Sequence, residues 1–346
     1  MVYSIHTLEI TLVIKRKSKF EELLDGAYKN AKSKHKLFEE NGVFKDYALS
    51  KNGIDIEYHG DFRRKNYKKK IKFIINPSRV LGGNDLKLWK PNKKNISALL
   101  EELECCINDY FDSEYTLNDF ILSRVDFTVN IPVGSKKQVS AYVKIFHNIG
   151  KVKGFSQKYS NADSDWYDKE CGFDLEGNSN GIDFTVYDKE GALENQLAKG
   201  KKVSPEQIKS AGGILRIEVK LIKQKAIKNY TKETGTAMQI TDLSKRSKEI
   251  FLETFNKIVP YGDFYDKKSA ESIIIKNTSK KILRKKMLKL IDLVPKKKSL
   301  LLAQREMNER NIDKVMNAFA KLNLSPVTIS KRSKVKHLPN LYTYLY

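Results

Sequence analysis

Three stretches of this chain alternate apolar and polar residues with a period of two, and they constrain its fold more than any other feature. In 182–189, Ile182, Phe184 and Val186 share one parity, while Asp183, Thr185, Tyr187 and Lys189 share the other. In 122–132, Val125, Phe127, Val129 and Ile131 oppose Arg124, Asp126, Thr128 and Asn130. In 214–221, Leu215, Ile217, Val219 and Leu221 oppose Arg216, Glu218 and Lys220. A strand sends alternate side chains to opposite faces, so each stretch is expected to be a strand with one face on a core and one face polar. In a shared sheet, Tyr187, Asp126, Glu218, Arg124, Arg216 and Lys189 would gather on one face. Such a surface could cut a phosphodiester.

The rest of the chain supplies strands and helices in alternation up to about residue 222. Leu8, Ile10, Leu12 and Ile14 mark a first strand, 53–58 a second and 71–75 a third. Helical spacing predicts helices over 19–40, 95–111 and 137–147, with shorter ones near 191–198 and 205–210. The stretch 154–181 is polar and reads as loop. Beyond Leu221 convincing strands stop, and three apolar stripes predict helices. Phe251, Phe255 and Ile258 line the first; Ile282, Leu283, Met287 and Leu290 the second; Ile312, Val315, Met316, Phe319 and Leu322 the third. The expected class is α+β: an N-terminal, mostly antiparallel sheet domain with helices on one face, then a mainly α-helical basic domain. The boundary falls near 225, giving a catalytic domain over residues 1–225 and a DNA-binding or oligomerising domain over 226–346.

Charge narrows the partner. Lys and Arg number 65 against 42 Asp and Glu, a net +23, spread along the chain among aromatics, which points to a polyanion. Nucleic acid is favoured over a membrane surface because no basic amphipathic helix dominates. Arg63, Arg64, Lys65, Lys68 and Lys69 surround Tyr67 in one basic cluster; Arg284, Lys285 and Lys286 form another, and Lys331 with Arg332 a third. Each suits phosphate contact or a solvated surface. Residues 311–322, with 326–329 and 341–342, read as a recognition helix with a wing. Cys105, Cys106 and Cys171 make neither a disulfide framework nor a zinc pattern, so a reducing cytoplasm is expected. The opening Met1 to Ile5 lacks signal-peptide character, and no run approaches ~18 apolar residues, so no membrane span is expected.

A tyrosine can attack a DNA phosphate directly, dividing one hard displacement into two easier ones through a covalent intermediate. The transition state concentrates charge on the non-bridging oxygens, so a cation must stand close. A divalent metal, Mg or Mn, held by Asp126 and Glu218 would serve, and Arg124, Lys189 and Arg216 could add charge or hold flanking phosphates.

Leu122-Ser123-Arg124-Val125-Asp126-Phe127-Thr128-Val129, Val186-Tyr187-Asp188-Lys189 and Leu215-Arg216-Ile217-Glu218-Val219-Lys220-Leu221 resemble three ordered motifs of rolling-circle replication initiators. The similarity is to the plasmid Rep_trans type and the phage gene II/X type, and it covers about 120–222. It implies a sequence-specific nickase that stays attached through tyrosine to a 5′ phosphate. By position, Tyr187 would be the nucleophile, and Asp126 and Glu218 the metal-site carboxylates. The implied partner is DNA, as a single-stranded or hairpin origin with flanking duplex; a host helicase and a second copy of the chain are the others. Two departures stand out. Asn130 and Lys220 occupy positions where some members carry further acids, so a metal site would be thinner or borrow Asp183 or Asp188. No histidine-hydrophobe-histidine pair occurs, which excludes the nickase subclass that uses one.

Three other readings share these residues. The chain could be the relaxase of a conjugative element, a non-catalytic origin-binding protein in which Tyr187 stacks on a base, or a two-carboxylate phosphotransferase with no covalent step.

Overall fold

A computed structural model describes residues 1–30, 43–60, 69–84, 86–158, 171–200 and 203–346. Nine strands are β1 (Ser4–Ile14), β2 (Val43–Asp46), β3 (Ile54–His59), β4 (Lys69–Ile75), β5 (Ile121–Pro132), β6 (Phe155–Gln157), β7 (Gly172–Gly177), β8 (Ile182–Asp188) and β9 (Ile214–Leu221). They form one large antiparallel sheet in the order β2-β3-β4-β1-β5-β9-β8-β7-β6, and helices dominate the C-terminal half, as the α+β class requires. The chain divides into two compact units, each assembled from separate stretches. One comprises 2–128 and 220–250; the other comprises Met1, 129–219 and 251–346.

In the first unit, apolar side chains meet across strands. On β1, Leu8 faces Ile75, Ile10 faces Phe73 and Leu12 faces Ile71; on β3, Ile56 faces Phe73 from the other side. Phe73 also meets the rings of Tyr110, Phe111 and Phe120, so one aromatic cluster joins sheet and helix. That helix, Lys93–Tyr110, starts where the Asn92 side chain accepts a hydrogen bond from the Asn95 amide. It buries Ile96, Leu99, Leu103 and Ile107 of the stripe expected from its spacing, with Cys106 beside them; Leu100, also expected there, is half-buried. Each such buried side chain contributes about 1.5–3 kcal/mol. The first helix, Lys17–Asn30, occupies the start of the expected 19–40; residues 31–40 lie outside the described residues.

A buried polar chain ties this unit together. The Tyr58 and Tyr110 hydroxyls lie 2.8 Å apart, and Tyr110 donates to the Asp46 carboxylate at 2.6 Å. Burial raises both phenols far above their ordinary range. Tyr110→Phe deprives buried Asp46 of that donor, and urea denaturation should show a loss of about 1–3 kcal/mol. The raised phenols carry a sign as well. Their stabilisation is complete below the ordinary tyrosine value of about 10 and is lost as pH rises from there toward the folded values.

The second unit is built on the helix Lys136–Ile149, capped by Ser135, which buries Tyr142, Ile145, Phe146 and Ile149. Phe146 packs between Phe173 of β7 and Phe184 of β8, and Phe184 in turn meets Phe255. The helix ends at Gly150, with φ +59°, where a Cβ would lie 2.1 Å from the Lys298 carbonyl oxygen; only glycine permits that approach.

β6 and β7 fall within 154–181, the stretch expected as loop. Their hydrophobic signal is short: β7 carries only Phe173 and Leu175 between flanking glycines, and both are buried. Pairing with β8, which sets Phe173 opposite Val186, makes β7 a strand. β2 escaped detection for the same reason. The helix expected over 311–322 forms as Ile312–Lys321. Val315 and Phe319 are buried on one side of it, and Val327, Ile329 and Leu341 are buried beyond it.

Candidate active site

Tyr187 sits one residue before the end of β8, half-buried, with its polar neighbours on the adjacent strand β9. Its hydroxyl donates to Glu218 Oε1 at 2.8 Å. The Arg216 guanidinium hydrogen-bonds the same phenol. Arg216 and Glu218 are two residues apart on β9, so strand geometry alone turns both toward the tyrosine. Directly across on β7 the partner of Tyr187 is Gly172, which sets no side chain beside it.

The electrostatics of this trio follow from burial. Arg216 is 0% exposed and Glu218 is 4% exposed. Loss of hydration pushes the Tyr187 phenol well above its ordinary value; the Glu218 charge pushes it further, and the Arg216 charge opposes the shift. The phenol is therefore protonated at neutral pH, with an acceptor for its proton and a cation for the resulting charge already in contact. Arg216 Nε donates to Asn130 Oδ1 at 2.8 Å. Asn130 is a site residue that the sequence motifs mark only as a missing acid. A signal for it exists nonetheless: Asn130 has the polar parity of its strand, and an amide oxygen can hold a guanidinium that an apolar residue could not.

Lys189 does not extend β8. Asp188 caps the helix Lys189–Ala198 by accepting from the Glu190 amide, so Lys189 starts a helix and is buried there. The strand parity that would set it beside Tyr187 stops one residue earlier.

In the other unit, Arg124 grips Asp126 through two parallel hydrogen bonds, Nε to Oδ1 at 2.8 Å and Nη2 to Oδ2 at 2.6 Å. Asp126 is 1% exposed. Such a bidentate pair is strong and directional.

These contacts bear on the expected divalent ion. Both Asp126 oxygens accept from Arg124, and Glu218 accepts from Tyr187. Asp183 accepts from the Gly177 amide and Asp188 caps a helix, so neither spare acid stands ready. Among the described residues no group of three or more His, Cys, Asp or Glu is placed to hold a metal. The residues do not make a preformed metal site.

Arg63, Arg64, Lys65 and Lys68 of the first basic cluster, with Tyr67, Trp166 and Tyr167, lie outside the described residues. Lys69 opens β4 and is half-buried. Arg284, Lys285 and Lys286 lie on the helix Lys281–Lys297, and Lys331 and Arg332 are exposed in a short 3-10 turn. Among the described residues no helix is long and apolar enough to cross a membrane.

No protein-family model matches this chain, and no curated protein is significantly similar to it. Among solved structures, a rolling circle replication initiator protein from Geobacillus stearothermophilus is similar over 74% of this chain and 85% of that one, with 13% identity and a TM-score of 0.32. At that TM-score the likeness carries no functional argument, and the chemistry that follows rests on the chain's own side chains.

Proposed function

We propose that this chain is a DNA nickase and strand transferase that initiates rolling-circle replication of a plasmid or phage-like element, with Tyr187 as nucleophile. One observation carries the reading: the Tyr187 hydroxyl is held between a buried carboxylate and a buried guanidinium. The carboxylate supplies the proton acceptor and the guanidinium the charge offset that attack on phosphorus needs.

The step runs as an in-line displacement. Glu218 takes the phenol proton as the Tyr187 oxygen forms its bond to phosphorus. The bond to the 3′ oxygen breaks, and that oxygen takes a proton from solvent. The products are a 5′-phosphotyrosine and a free 3′ hydroxyl; attack by a 3′ hydroxyl reverses the step and rejoins strands. Arg216 lies against the phenol oxygen and offsets the charge that develops there, and Asn130 holds the guanidinium in place. Because the phenol is raised, it does not ionise beforehand; proton transfer accompanies attack, and Glu218 is a general base.

The substrate is a single strand or hairpin loop, because the attacking oxygen must stand ~3 Å from phosphorus and opposite the leaving oxygen. A flexible strand meets that demand more readily than regular duplex. Residues 1–225 carry the catalysis, and 226–346 supply duplex contact. Mg²⁺ or Mn²⁺ is a proposed cofactor, and chelation in the test below decides whether the step needs it. A helicase and a second copy of the chain are further proposed partners.

The test uses a 3′-labelled set of single-stranded oligonucleotides, whose label stays with the strand joined to tyrosine, incubated with the full chain, with Mg²⁺, with Mn²⁺ and with chelator. A covalent adduct whose modified peptide contains Tyr187, absent in Tyr187→Phe, is the expected result. Cleavage that persists in Tyr187→Phe would assign the chemistry to a water nucleophile, and an adduct at another tyrosine would move the site.

A further inference from the structure

Between Ser272 and Ile291 the chain contains no acidic residue and carries Lys276, Lys280, Lys281, Arg284, Lys285, Lys286 and Lys289. The structure folds this stretch as two helices, Lys267–Asn277 and Lys281–Lys297, joined by the three residues Thr278, Ser279 and Lys280. The first helix buries Ala270 and Ile274, and the turn is pinned by Thr278, which is buried and directs its hydroxyl at Met287 Sδ. The second helix is unequal along its length. It buries Met287, Leu290, Ile291 and Val294, whereas in its first turns Lys281, Ile282 and Lys285 are exposed and Leu283, Arg284 and Lys286 half-buried.

The exposed side of those turns has an unusual surface. Ile282 is 74% exposed, and Ile275, at the end of the preceding helix, is 53% exposed. An isoleucine that open to water is left by folding without a partner. Ile282, Lys285 and Lys289 share one side of the helix at i, i+3 and i+7, and Lys281 lies beside them. Lys286 pairs with Glu309 at 2.6 Å; among the described residues Lys276, Lys280, Lys281, Arg284, Lys285 and Lys289 form no ion pair with an acid.

We infer that 267–297 is a helix-turn-helix unit whose second helix enters the major groove of duplex DNA, with Ile282 meeting a thymine methyl and Lys281, Arg284 and Lys285 meeting phosphates and guanine edges. A three-residue turn between two packed helices, the second presenting its N-terminal residues, is the geometry that groove admits. The occupant follows from charge complementarity and from the size of the apolar contact. A run free of acids suits a polyanion, and two isolated isoleucines give too little apolar area to anchor in lipid but suit a methyl group at the floor of a groove. The inference rests on the reading that the chain works on DNA, but it needs no cleavage. It assigns duplex recognition to 267–297, free of acids from 273 to 290, rather than to 311–322, which carries Asp313.

The test is equilibrium binding of the full chain to duplexes selected by it from a random library, read in chelator so that no cutting intervenes. The wild type is expected to enrich a defined motif, and 7-deazaguanine in that motif, which removes a major-groove acceptor, should weaken binding at least tenfold. The triple variant K281E/R284E/K285E should flatten the salt dependence by about 0.9 in log–log slope for each phosphate contact removed. Ile282→Gln, at an exposed position that leaves the melting temperature unchanged, should shift the selected motif at a thymine. An unchanged slope in the triple variant, an unchanged motif in Ile282→Gln, or loss of binding to anionic phospholipid vesicles with duplex affinity intact would each overturn the assignment. A chain that passes this test and forms no tyrosine adduct would lose the nickase reading and keep this one.

Discussion

Glu218→Gln is expected to slow formation of the tyrosine adduct by about 10²–10⁴-fold while lowering the pKa of the Tyr187 phenol. The two effects run in opposite senses for a simple reason. The Glu218 charge raises the phenol's pKa, so an amide in its place makes the phenolate easier to form. An easier ionisation would speed attack if ionisation were all that mattered. The amide, however, cannot take the proton that Glu218 Oε1 now accepts at 2.8 Å. The deficit should narrow as pH rises, because the phenol then loses its proton to solvent without help. Single-turnover rates across pH, with the phenol titrated by ultraviolet difference against Tyr187→Phe, measure both quantities. A variant as fast as wild type at neutral pH would remove Glu218 from proton transfer.

Arg216→Lys carries the second large effect, although it conserves charge. The guanidinium serves two partners: its Nε binds Asn130 at 2.8 Å while another of its donors reaches the Tyr187 oxygen. A lysine ammonium is a point charge on a flexible stem and cannot hold that fork. Removing one fixed donor from a charge-stabilising site costs about 10²–10³ in rate, and the same is expected here. The side chain is fully buried, so the amide of Asn130 would also lose its donor, at about 1–3 kcal/mol in folding stability. Single-turnover kinetics and urea denaturation separate the two losses. Asn130→Ala should reproduce a smaller share of both, because it loosens the guanidinium without removing it. A lysine variant with wild-type turnover would show that charge alone suffices and that the fork is incidental.

Period-two alternation made β5, β8 and β9 legible because each is long enough to repeat its pattern several times. β2, β6 and β7 were not legible: with three to six residues, their apolar signal is too brief to separate from loop, and their pairing with neighbours makes them strands. Ile282 shows the reverse error. Its spacing matches the stripe of Met287 and Leu290, yet it stands beyond the end of the packed region, and where a helix leaves the core depends on what lies beside it.

The residue types at the candidate site, and the face each would take within its strand, were set by the sequence through the parity of a pleated chain. Tyr187, Arg216 and Glu218 could be named because side chains two apart on a strand share a side whatever the strand packs against. Which neighbours they take was decided by tertiary structure. Strand register determines which residues of β8 and β9 come level, and register is fixed by long-range pairing that no local pattern encodes. So it is that Asn130, which the motifs mark as a missing carboxylate, orients a guanidinium, and that Lys189, one residue beyond its strand, turns into a helix and away from the parity that named it.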